Sequence, residues 1–410
     1  MANPTVLRRC GKTRLALLWM HLANEPFAAF FTLLGFILRK DLGATTLELS
    51  VFASLSPIIA LFSFYWSSIL TRNKNKLLSN LIGAWILGRL PFLFFPWFNS
   101  VWYLIFASAV YHLFYRAGTP ALMEILKQNL DKTHREKLFS IAYVLSFVES
   151  ILLGLLIGKC FDIYPYAWKA LLMISALLSL SSIFFQKRIP LTQQVPDKNL
   201  PAPSANQIMQ PWKDCLYLMR TYPDFAKFQW GFMIGGFGLM LINPALVIYY
   251  ADTLLLSHEQ LTFARYIWMG IGVLLSTARW RKALEKYSVI PLTRFILIGF
   301  SLFPLFLILA KTYFFFFYIA FLFYGIAQAG SHLLWHLSGT LFASETESSS
   351  KYTGTNVLMV GIRGLIGPAL GGILVVSLGP IPVLIFGIII CCLGALFLNF
   401  QLKSYRSVSN

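Results

Sequence analysis

Apolar runs of about eighteen residues or more recur along nearly the whole chain, separated by short polar, basic or proline- and glycine-rich breaks. Read in order they cover residues 15–38, 49–70, 77–97, 102–126, 138–160, 168–185, 225–251, 261–279, 289–310, 313–342, 353–377 and 380–400. Each is long enough to be a helix that crosses a bilayer, so the pattern predicts an all-α polytopic membrane protein with twelve transmembrane helices. The first run, LALLWMHLANEPFAAFFTLLGFIL, would rise roughly 36 Å as a helix, against a hydrocarbon core of about 30 Å. Asn24, Glu25 and Pro26 sit at its centre. A carboxylate at that depth costs at least about 2.5 kcal/mol, so Glu25 needs a partner, a proton or a water-filled cavity.

The sixth and seventh runs are separated by a polar, proline-rich stretch that cannot bury a core and reads as a linker. The expected organisation is therefore residues 1–190 as one six-helix bundle, 191–223 as linker and 224–410 as a second bundle. Within the linker Trp212, Leu216 and Met219 fall at helical spacing beside Lys213 and Arg220, the pattern of a short helix at the membrane interface or of a packed turn. The halves show traces of a repeat. Asn24-Glu25-Pro26 in the first run is followed by the loop DLGATTLELS, and Asn243-Pro244 in the seventh by DTLLLSHEQLT. The same midspan Asn/Pro break with a similar exit suggests two related halves with a central site between them.

Composition sharpens this picture. Only 12% of the 410 residues are charged, 57% are hydrophobic and the mean hydropathy is +0.67. The net charge of +18 does not indicate nucleic acid, because the basic residues form no single patch and no aromatic-interleaved motif. They concentrate instead on alternate breaks. With the N terminus inside, the outer breaks keep only Arg39, Lys40, Lys159, Lys169 and Lys311, which predicts that both termini are cytoplasmic. The first run is too long for a cleaved leader and contains Glu25, so it is expected to remain as a span. Five cysteines without metal-ligand spacing read as reduced thiols.

Three local motifs carry a family resemblance. Arg363-Gly364-Leu365-Ile366-Gly367-Pro368-Ala369-Leu370-Gly371-Gly372 contains a GPxxGG element, with small residues for close helix approach and a proline to bend the helix. Ser67 to Lys76 keeps Arg72 and Lys76 of a G-x-x-x-D-R-x-G-R-K signature but has Thr71 in place of its acid. Trp168-Lys169 opens the sixth run after Asp162. With the 6+6 layout, these make the chain resemble the major facilitator superfamily over nearly its whole length. The resemblance implies alternating access by rocking of two bundles around a midplane site. It also implies gating roles for Arg72, Lys76, Gly367, Pro368, Gly371 and Gly372, and a cavity lined by spans one, four and five with seven, eight, ten and eleven.

Helical periodicity supplies candidates for that cavity. His21, Glu25, Ala28 and Thr32 form one stripe with Asn24 beside it; Ser108, His112, Arg116 and Thr119 form a second; Tyr143, Ser146, Glu149 and Ser150 lie near a third. Glu25, Glu149 and Arg116 are the candidates for proton coupling, against a plain reading in which Arg116 and Glu149 form a fixed pair bracing two helices. Arg89 suits a structural role or a partner on the lipid side. Candidate substrate ligands are Asn24, Glu25, His112 and Arg116 in the first half and Asn243, Gln328, His332 and Arg363 in the second. Arg363 reads equally well as buried in the glycine-rich helix contact, and Arg265 as snorkelling toward the outer surface. His332 and His336 have the i, i+4 spacing of a metal pair but no acid at ligand spacing, so no metal and no cofactor are expected.

No phosphate loop or catalytic triad order is present, which argues against an enzyme and against primary active transport. The expected function is a proton-coupled secondary transporter of the bacterial inner membrane, a monomer in the lipid bilayer. The surplus of midspan arginines over acids favours a small organic anion or zwitterion as substrate. A transporter-like sensor and an uncoupled uniporter are the alternatives.

Overall fold

In hydrocarbon a backbone must satisfy its own N–H and C=O groups, and these apolar runs do so as helices. The computed structural model describes residues 4–62, 76–164, 166–191, 205–342 and 349–408, and no strand occurs among them. Nine helical spans among the described residues are long and apolar enough to cross a membrane. The three other expected spans fall short for different reasons. Helix α2 (Thr46–Ala60) has 15 residues before the undescribed segment that holds Arg72. Helix α4 (Val101–Asn129), with 29 residues, is not apolar enough by composition, whereas α5 (Lys132–Ile163), with 32, has side chains outside the described part of the chain. These two carry His112, Arg116 and Glu149.

The chain separates into two compact units, Met1–Leu42 with Phe62–Ala202, and Gly43–Leu61 with Pro203–Asn410. In the first, α1 (Pro4–Lys40) packs against α5 and α6 (Ala167–Ser181), while α3 (Leu77–Phe94) packs along α4 and α6. Helix α1 runs unbroken through Pro26. The expected break there is absent: a proline removes one i→i−4 bond, and the rest of the helix carries on.

In the second unit α7 (Ala205–Thr221) is the linker helix. It buries Cys215 and Leu218 against α8 (Pro223–Leu241) and α14 (Ser349–Leu378), leaving Met209, Leu216 and Tyr217 exposed. Burial pushes the Cys215 thiol pKa up. Helix α8 is interrupted at Ile242 before α9 (Asn243–Ile248), so the Asn243-Pro244 interruption does occur. A wide π turn, Tyr249–Thr253, follows. Helix α10 (His258–Phe263) passes through a second π turn, Ala264–Trp268, into α11 (Met269–Lys286). Helices α12 (Val289–Leu309), α13 (Phe315–Phe342) and α15 (Pro380–Val408) complete the unit.

Two capping boxes reinforce the repeat seen in the sequence. The Thr45 side chain accepts from the Glu48 amide and the Glu48 carboxylate accepts from the Thr45 amide, and Ser257 and Gln260 do the same at α10.

Helix α14 uses its glycines on two sides. Facing α2, a Cβ on Gly372 would lie 2.0 Å from Ser50 Oγ and one on Gly364 2.1 Å from Pro57 Cβ. Facing the end of α8, one on Gly371 would lie 1.9 Å from the Leu241 carbonyl oxygen and one on Gly367 2.9 Å from Met240 Cβ. Pro368 is buried inside the same helix. Beside the α2–α14 contact lies a cleft of about 390 Å³ lined by Leu47, Leu55, Ala369 and Ile373.

Candidate functional site

The first unit contains a buried cation and a separate acidic pair. Arg89, on α3, is fully buried. Its guanidinium donates to Asn24 Oδ1 at 2.8 Å and to Ser179 Oγ at 3.1 Å, while Ser179 Oγ itself donates to Asn24 Oδ1 at 2.8 Å. The guanidinium carbon stands 3.6 Å from the Trp85 ring centroid and 5.3 Å from that of Tyr111. An amide oxygen, a hydroxyl and aromatic faces thus hold the charge, with no carboxylate. Asn24, expected to bind substrate, is committed to this network. Sequence reading recognised Arg89 but not its partners, because α1, α3 and α6 supply them from distant parts of the chain.

The carboxylates lie on α1 and α5. Ser150 Oγ donates a hydrogen bond to Glu25 Oε1. Glu149 is within electrostatic reach of Glu25, and its Oε2, like the Ser146 hydroxyl, is buried without a hydrogen-bond partner. Arg116 makes no ion pair with either acid, so the plain reading of a fixed Arg116–Glu149 brace does not describe this structure. His112 lies one turn before Arg116, within its electrostatic reach, and packs edge-on against Phe31 at 5.0 Å. Glu25, Glu149, Ser146 and Ser150 therefore come together, as do His112 and Arg116.

In the second unit Arg363 turns into the contact of α14 with α8. It is 7% exposed, donates to the Phe232 carbonyl at 2.6 Å and lies 4.8 Å from the Phe232 ring centroid. Gly236 makes room for it, since a Cβ there would sit 2.0 Å from the guanidinium nitrogen. Asn243 is exposed at the start of α9. Gln328 Nε2 and His332 Nε2 are 2.8 Å apart on α13, and the His336 side chain lies outside the described part of the chain. Lys76 is exposed at the start of α3, and Arg72 lies outside the described residues.

The π turns gave no sequence signal. They place Tyr250 and Arg265 in wide turns of adjoining helices, and Arg265 is within electrostatic reach of Tyr250 and of Tyr324 on α13. Arg265 makes no hydrogen bond or ion pair with any described residue. The Trp268 indole nitrogen, in the same turn, is buried without a partner.

Comparison with known proteins agrees with this architecture. The model of the Major Facilitator Superfamily matches residues 26–278. No curated protein matches the chain in sequence. Among solved structures, the nucleoside transporter NupG superposes with a TM-score of 0.69 at 14% identity, covering 96% of this chain and 99% of its own. A POT family transporter in complex with 5-aminolevulinic acid gives 0.72 at 9% identity, covering 98% and 96%. A bacterial homologue of the human lysosomal transporter Spinster, inward-facing and unoccupied, gives 0.64 at 11% identity, covering 98% and 99%. With a family match over more than half of its length and helical spans throughout, the chain belongs to the major facilitator superfamily of membrane transporters.

Proposed function

We propose that this secondary transporter moves a small solute by alternating access between residues 1–190 and 224–410, coupled to protons through Glu25 and Glu149. The observation that carries the reading is the acidic pair itself. Two carboxylates stand within electrostatic reach of each other, neither forms an ion pair, and one Glu149 oxygen is buried with no donor. In a membrane, where an unpaired buried charge is costly, such a pair suits the uptake and release of one proton. Arg116, one turn from His112 on α4, supplies positive charge in the same unit without an ion pair to either acid. The glycine faces of α14 are the proposed gating surface, since backbones in such close approach slide or separate without side chains in the way. Cytoplasmic termini, a bacterial inner membrane and a monomeric state complete the reading.

The test is flux in proteoliposomes with uridine, dialanine and 5-aminolevulinic acid as first solutes. The first and last of these follow the nucleoside and 5-aminolevulinic acid named with the similar structures. Wild-type protein is expected to accumulate at least one of them against its gradient when the outside is acidic. Glu149→Gln and Glu25→Gln should abolish that accumulation while leaving solute exchange at equal pH intact. If both variants accumulate solute as the wild type does, the coupling assignment is wrong.

A further inference from the structure

Of the arginines within the spans, Arg89, Arg116, Arg265 and Arg363 are the four weighed in the sequence, and the structure separates them by what they touch. Arg89 and Arg363 are consumed by the packing of their own units. Arg116 shares the first unit with the acidic pair. Of these four, Arg265 lies in the second unit without a hydrogen bond or ion pair to a described residue.

Its surroundings are built from three helices. Tyr250 comes from the π turn after α9, packed at 5.8 Å against Phe317 and 6.3 Å against Phe321. Tyr324 comes from α13, its ring 4.6 Å from Phe303. Trp268 follows Arg265 in its own π turn, ring stacked on Tyr318 at 5.7 Å, with its N–H unused. These rings are fixed by their neighbours. A π turn inserts one residue and re-aims the side chains around it, and such turns concentrate at functional sites. Here one of them holds Arg265 and the other Tyr250.

A guanidinium in a membrane without a counter-charge is costly to keep, and its planar fork matches carboxylate and phosphate oxygens. Phenols and an indole N–H add neutral donors for the same oxygens. We propose that Arg265, with Tyr250, Tyr324 and the Trp268 indole, forms an anion subsite that binds the carboxylate or phosphate group of the transported solute. This rests on the reading of the chain as a small-solute transporter, but not on proton coupling.

The test is thermal stability of the purified full-length protein with two matched pairs of probes: levulinic acid against its methyl ester, and uridine 5′-monophosphate against uridine. An acid of at least one pair is expected to raise the melting temperature where its uncharged counterpart does not. Arg265→Gln should weaken that acid by about 10- to 100-fold, the worth of a lost hydrogen bond to a charged group. Arg265→Lys should be intermediate, and Trp268→Phe should weaken binding less. The last two variants keep the test open if Arg265→Gln does not fold. Equal response to charged and uncharged members, no response to either acid, or undiminished acid binding in these variants overturns the subsite. Failure of the coupling reading shows elsewhere, as pH-driven flux that survives in the Glu25 and Glu149 variants.

Discussion

Arg89 and Arg363 are both arginines buried within a membrane-embedded unit, and each unit accommodates its cation differently. In the first unit Asn24 and Ser179 take the guanidinium hydrogens, and Trp85 covers its face. In the second, one backbone carbonyl and one phenylalanine ring meet the guanidinium, its Nε is buried without a partner, and the space is made by a glycine. Neither uses a carboxylate. Glu25 and Glu149, on α1 and α5, form no ion pair with either arginine. Depth in the membrane does not by itself make an arginine functional. The partners it has already taken decide that.

The largest effect is expected where two backbones meet rather than at either arginine. A Cβ on Gly371 would collide at 1.9 Å with the Leu241 carbonyl oxygen, which cannot move without its helix. Gly371→Leu should cost about 3 kcal/mol or more and reduce the yield of folded protein in size-exclusion chromatography. Gly236→Ala also creates a 2.0 Å contact, but with the flexible end of Arg363. It should be tolerated at a cost of about 1 kcal/mol. Equal damage from the two would mean that the guanidinium is as rigidly held as a backbone carbonyl.

The arginines come next. Arg89→Met removes two side-chain hydrogen bonds and a cation–ring contact, and leaves Asn24 and Ser179 only each other, so a loss of about 2–4 kcal/mol is expected. Arg363→Met removes one hydrogen bond to a carbonyl and one ring contact while filling similar space, for a loss of about 1 kcal/mol. Melting temperatures in detergent should fall in that order. A larger loss for Arg363→Met would show that the carbonyl of Phe232 depends on the charge more than the amide of Asn24 does.

How far these features could be read from the chain depends on their range. Spans, linker and repeated exit loops rest on runs of consecutive residues, so hydropathy and cap spacing reveal them. Glu25 and Glu149 stand on stripes that periodicity marks on α1 and α5, and the Ser150 hydroxyl of the second stripe meets Glu25. The fate of the arginines was not legible, since it depends on which helix lies opposite. Arg89 finds Ser179, 90 residues away, and Arg363 finds Phe232, 131 residues away. Pro26 and Pro244 look alike in sequence, yet α1 runs straight through one and α8 stops just before the other. The π turns that hold Tyr250 and Arg265 leave no composition signal, because they arise from one extra residue within a helical register.

The smallest prediction sharpens the comparison between the repeated exit loops. Both use a capping box, but Thr45 donates its amide to the Glu48 carboxylate at 2.7 Å, and Ser257 donates to the neutral Gln260 amide oxygen at 2.9 Å. A carboxylate in the first turn of a helix also interacts favourably with the positive end of the helix dipole, worth about 0.3–1 kcal/mol at low salt. A Gln side chain gains the hydrogen bond without that term. Glu48→Ala should therefore lower the melting temperature more than Gln260→Ala does in dilute buffer. Salt screens exposed charges over about 3 Å at 1 M, so in high salt the two variants should converge. If Glu48→Ala stays the more damaging in high salt, its side chain is contributing packing or a hydrogen bond to α2, and the two boxes differ in more than charge.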